Sequence, residues 1–132
     1  MPSYKDERPK IIQSIYARRG QKEFRDSLRK RYGDKCMVTG CEILDVIEAA
    51  HINPYKGKKD NHVTNGLLLR SDIHTLFDLN LIGVNPETFK IEVCKSLFKT
   101  EYEGLNNASL AFEEGKGPSA AALGIRWDLF RK

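Results

Sequence analysis

The strongest constraint on this chain lies in its middle third, where two short apolar runs and a helical segment follow one another around a polar gap. Val46-Ile-Glu-Ala-Ala-His51-Ile52 has strand propensity, and Pro54 stops it. Asn53 to Thr64 reads as a polar loop containing Gly57 and the lysines Lys56, Lys58 and Lys59. Leu67-Leu68-Leu69 is short enough to be a buried strand. Ser71 or Asp72 then caps a short helix carrying His74, Leu76, Phe77 and Asp78. A strand–loop–strand–helix unit of this size must find its core in the flanking segments.

Those flanks supply it. Phe24, Leu28 and Tyr32 recur at i, i+4 and i+8 between Gln21 and Tyr32, a helical stripe that Gly33 ends. Cys36 to Cys41 reads as a short extended piece and a turn. Leu81–Val84 and Phe89–Val93 flank Asn85-Pro-Glu-Thr88, a hairpin signal. Ala120 to Arg131 predicts a closing helix with Leu123, Trp127 and Phe130 as its buried stripe. The order helix, strand, strand, helix, hairpin, helix is that of an α+β domain. At 132 residues, 40% of them hydrophobic, the chain can bury such a core as one domain over residues 19–132, after a loose basic lead-in over 1–18.

Charge and cysteine usage narrow the partners. Residues 1–35 hold eleven Lys/Arg against five Asp/Glu, while the remainder is slightly acidic. A basic N-terminal third suits a polyanion, although a solvated helix face has the same composition. Three cysteines are too few, and Cys36 and Cys41 too widely spaced, for a zinc knuckle. Cys94, within an apolar run, is expected to be a small buried hydrophobe. No apolar run spans a bilayer and no signal-peptide pattern opens the chain, so a cytoplasmic protein without membrane contact is expected.

The chemistry-bearing residues fall in the central unit. Histidine at a strand end suits a general base, because its ordinary pKa leaves it mostly neutral at cellular pH. His51 alone is equally a half-buried residue bonded to backbone. Asn65 is either a turn residue in Asn-Gly or an amide that ties the loop to His51. His74 and Asp78 share one helix face at i, i+4, where a ring nitrogen and a carboxylate oxygen can converge on a divalent ion or form an ordinary exposed pair. Asp72 reads as a cap.

The spacing His51-x13-Asn65-x8-His74-x3-Asp78 resembles the HNH endonuclease motif of the ββα-metal superfamily, also called the His-Me finger. The likeness extends over Arg19-Gly-Gln-x2-Phe24-Arg25, Tyr32-Gly33, Cys36-x-Val-Thr-Gly40, Glu48-Ala-Ala-His51-Ile-x-Pro54-Tyr-x-Gly57 and Asn65-Gly-Leu-Leu-Leu-Arg70-x-Asp72-Ile-His74-Thr-Leu-Phe-Asp78, with Trp127-x2-Phe130 in the closing helix. The resemblance implies a ββα-metal core with flanking N- and C-terminal helices and an extra β-hairpin. It implies a metal-dependent DNA endonuclease with His51 as base, Asn65 as organiser of the loop and His74 on the metal, leaving 5′-phosphate and 3′-hydroxyl ends. It is also compatible with the nuclease module of a restriction or defence effector, or with a non-catalytic DNA-binding module that retains the fold.

Two departures shape the expectations. Many such enzymes carry Asp or His as a metal ligand immediately before the base, where this chain has Ala50, and many carry paired CxxC knuckles that are missing here. The ion, Mg²⁺ or Mn²⁺ with Zn²⁺ or Ni²⁺ as alternatives, is then expected to rest on His74 and Asp78. Lys56, Lys58, Lys59, Arg70, Arg25 and Arg29 are the candidate phosphate contacts. Double-stranded DNA is the expected partner; RNA remains an alternative, and a homodimer would suit a double-strand cut.

Overall fold

The computed structural model describes residues 22–53 and 62–131. The lead-in over 1–18, the stop at Pro54 and the three loop lysines lie outside the described residues. Helix α1 spans Lys22–Tyr32 and buries Phe24, Leu28 and Tyr32, the stripe its periodicity predicts. Gly33 follows with φ +85° and donates to the Arg29 carbonyl at 2.8 Å, a left-handed exit that glycine makes without steric cost.

Strands β1 (Ile47–His51) and β2 (Gly66–Arg70) pair antiparallel, from Ile47 opposite Arg70 to His51 opposite Gly66. Helix α2 (Ser71–Asp78) follows β2 directly. Side chains alternate across a strand, so the ribbon has two coverable faces. Phe24 and Leu28 of α1 lie against the Gly66 position and Phe24 against His51, which puts α1 on the face of Ala49 and His51. His74 of α2 meets Glu48, which puts α2 on the face of Glu48 and Ala50. Both faces are thereby covered, and Leu67, Leu68 and Leu69 are all buried. Cys36 and Met37 run along β2: Met37 donates to the Leu68 carbonyl at 2.9 Å, and Arg70 N–H reaches the Cys36 sulfur at 3.2 Å.

The second unit is the hairpin of β3 (Ile82–Val84) and β4 (Ile91–Val93) with helix α3 (Ala120–Arg131). The Asn85 side chain accepts from Glu87 N–H at 2.8 Å and Thr88 N–H at 3.2 Å, closing the turn. Gly83 lets α3 approach: a Cβ there would lie 2.8 Å from the Phe130 ring.

Three expectations are corrected. Trp127 and Phe130 are only half-buried, because α3 closes over a two-stranded hairpin too narrow to cover them; Ala122 and Leu123 are its buried residues. Cys94 lies just past β4, half-exposed, with Ser96 Oγ donating to its sulfur at 3.3 Å. No side chain caps α2, since the cap position is Arg70 and Ser71 is already helical. Asp72 is instead held by Arg70, at 2.6 and 2.9 Å, and by the Tyr102 hydroxyl at 2.9 Å.

Candidate active site

The four central residues come from three elements, with His74 and Asp78 on one helix. His51 is the last residue of β1, opposite Gly66. Its imidazole lies flat against the Phe24 ring, with centroids 4.2 Å apart and planes 10° from parallel. Asn65 closes a short 3-10 turn, Val63–Asn65, just before β2. Its side-chain oxygen accepts from Asn53 N–H at 3.0 Å, and its amide nitrogen donates to the Asn53 carbonyl at 3.3 Å. The Asn65 carbonyl also accepts from Ile52 N–H at 2.9 Å. Two residues beyond His51, the backbone is therefore clamped at both its donor and its acceptor. This is the loop-tying geometry that the Asn-Gly turn alone would not require.

His62, the other loop histidine, caps that turn. Its Nδ1 lies 3.2 Å from Thr64 N, as acceptor, and 2.8 Å from Thr64 Oγ1.

His74 sits between two carboxylates. Its Nδ1 is 2.6 Å from Glu48 Oε1, and its Nε2 is 3.2 Å from Asp78 Oδ2. The environments of the acids differ: Glu48 is 8% exposed as a residue, whereas the Asp78 side chain is 55% exposed. A buried carboxylate must be hydrogen-bonded, and the imidazole N–H provides that bond. With the proton on Nδ1, Nε2 and the Asp78 oxygen present two electron pairs to one place on the helix surface. That donor set, one imidazole nitrogen and one carboxylate oxygen with the second ring nitrogen held by an acid, fits a divalent cation. Among the described residues no three His, Cys, Asp or Glu side chains converge as a metal site, because Glu48 approaches the opposite ring nitrogen.

Glu48 is the residue that motif reading passed over. It lies on the same ribbon face as Ala50, so a carboxylate reaches His74 from β1 even though the position before His51 carries only a methyl group. The available signal was a lone charge in an otherwise apolar strand, Ile47-Glu48-Ala49-Ala50.

Each of the described cationic candidates has a partner within the chain. Arg25 donates to the Leu44 carbonyl at 3.1 Å and reaches the Ile47 carbonyl at 3.4 Å, tying α1 to the approach of β1. Arg29 pairs with Asp34 at 2.8 Å, and its hydrogen bond holds the Asp34 carboxyl below the ordinary value of 3.8. Arg70 pairs with Asp72 and, with a smaller contribution from Tyr102, lowers that carboxyl to about 2.

With this geometry in place, comparison with known proteins becomes specific. Residues 36–85, which hold Glu48, His51, Asn65, His74 and Asp78, match the family model described as HNH endonuclease. Over that segment the chain is similar to HNH endonucleases. A solved structure described as the modification-dependent TagI restriction endonuclease is similar in fold, with a TM-score of 0.57 and 15% sequence identity. The likeness covers 78% of this chain and 35% of that one, so this chain spans about a third of that enzyme's length. No curated protein matches the chain in sequence. The described residues form an α+β unit with two small antiparallel sheets, and no helix among them is long and apolar enough to cross a membrane.

Proposed function

We propose that this HNH domain hydrolyses DNA phosphodiester bonds, with His51 as general base and a divalent ion held by His74 and Asp78. The observation that carries the reading is the different treatment of the two histidines. His74 is clamped through Nδ1 by Glu48 and aims Nε2 at Asp78, as a metal-binding histidine is oriented by an outer carboxylate. His51 is held by an apolar ring and by a loop pinned at Asn53, as befits a group that must take and release a proton. When bound, the ion supplies stabilisation of charge on the phosphate and its leaving oxygen.

The chain's own residues do the rest. His51 accepts the proton of the water that attacks phosphorus. Asn65 keeps the backbone after His51 in one conformation and does not touch the proton. Glu48 fixes the tautomer and plane of the His74 ring. Lys56, Lys58 and Lys59 are proposed phosphate contacts; Arg25, Arg29 and Arg70 would have to exchange an internal partner to serve as such. Hydrolysis in this sense leaves 5′-phosphate and 3′-hydroxyl ends. Likeness to part of a restriction enzyme supports a nuclease module working within a larger restriction or defence system.

The test is supercoiled-plasmid nicking across Mg²⁺, Mn²⁺, Ni²⁺ and Zn²⁺, with and without EDTA, and with the product ends typed by ligation. Cleavage that needs a divalent ion and leaves ligatable nicks is expected. Plasmid binding without nicking in any of the four ions would support the non-catalytic module instead.

A further inference from the structure

We infer that Phe24 and Gly66 form a positioning device for the His51 imidazole, so that helix α1, outside the matched segment, is a working part of the active site. The inference rests on the reading of His51 as the base and adds how its ring is aimed.

The Asn65 clamp fixes backbone. The His51 ring turns about an sp³–sp² bond, a torsion that is intrinsically broad. A general base must hold one in-plane nitrogen toward a water, so the orientation of the ring plane matters as much as the position of its Cα. The flat face of Phe24, 2% exposed and stacked on His51 at 4.2 Å and 10°, restrains that plane directly. It also keeps water off one face of the imidazole and leaves the nitrogens at the ring edge.

The stack depends on the residue opposite His51. At Gly66, a Cβ would lie 2.5 Å from Phe24 Cζ and 2.9 Å from each Leu28 methyl carbon. Gly66 has φ −142°, an extended conformation open to any residue, so backbone conformation does not call for glycine there. Space does. Glycine in Asn65-Gly66 therefore serves the approach of Phe24, while Asn65 serves the loop. The two halves of the dipeptide converge on one histidine, one through the backbone that follows it and the other through its ring.

The experiment compares Phe24→Leu, Gly66→Ala, Leu28→Ala and His51→Ala in plasmid nicking, with thermal melts on each. Phe24→Leu keeps an apolar side chain and loses the flat face; kcat is expected to fall roughly 10- to 100-fold with KM within about twofold. Gly66→Ala should lower kcat in the same way. Leu28→Ala, which opens the same core on the same helix, should lower the melting temperature at least as much and leave kcat near wild type. A folded Phe24→Leu with wild-type kcat beside an inactive His51→Ala overturns the positioning role alone. An active His51→Ala overturns the reading of the base itself. Side-chain NMR relaxation on the wild-type protein needs no variant to fold: the His51 ring should be as ordered as the backbone, and a His51 ring as mobile as that of His62 overturns the proposal.

Discussion

The end of β1 and the exposed face of α2 each carry a histidine, and the two are restrained in opposite ways. At His51 an aromatic face lies flat against the ring and restrains its plane. At His74 the partners are two carboxylates, one buried and one at the surface, which fix both ring nitrogens. A base has to change its protonation state during turnover, and a metal ligand has to keep its nitrogen unprotonated. A stack permits the first, and a carboxylate on the far nitrogen fixes the plane and direction of the ring for the second. The contrast supports the different duties proposed for two side chains that a sequence shows as identical.

The sharpest way to break this comparison is to remove each histidine in turn. His51→Ala should lower kcat for nicking by about 100- to 10,000-fold, the usual range for a lost general base, with the circular dichroism spectrum unchanged. Retained nicking would return His51 to a structural role. Glu48→Gln should raise the divalent-ion concentration at half-maximal rate by roughly 10- to 100-fold, the typical cost of an outer-shell partner. Asp78→Ala should also shift that titration; an unmoved curve would take Asp78 off the ion.

Smaller effects sharpen the supporting structure. Asn65→Ala removes both bonds to Asn53 and should cost about 1–3 kcal/mol of stability in urea melts, leaving backbone groups of a half-buried loop without partners. Its nicking rate should fall further than its stability explains. The smallest effect is expected at the surface pair of Arg29 and Asp34. The Asp34 carboxyl lies below its ordinary 3.8, so the charged form favours the fold. Its contribution is present above that pH and disappears as pH falls through the lowered value. Asp34→Asn should thus melt slightly below wild type at neutral pH, and the two curves should merge in acid.

Much of the molecule was legible in the residues. The stripe of Phe24, Leu28 and Tyr32 announced α1, Asn85 announced the hairpin turn, and the interval from His51 to Asp78 announced the ribbon and its helix. Periodicity reports which face of an element is apolar, and here that was enough. It does not report how wide the opposing surface is, which is why Trp127 and Phe130 stand half-exposed above a two-stranded hairpin. Nor does it show contacts between elements far apart in sequence. Glu48 meets His74 across 26 residues, and Tyr102 reaches Asp72 across 30. Phe24 carries the pattern of an ordinary core residue, and only the register, which sets His51 opposite a glycine, brings its ring against the imidazole.

The division of labour between the two histidines is tested most directly by Mn²⁺ titration calorimetry in the presence of DNA, on His51→Ala and His74→Ala side by side. His51→Ala should bind the ion as wild type does and fail to cleave, while His74→Ala should lose the ion. Loss of ion binding in His51→Ala, or its retention in His74→Ala, would contradict the account.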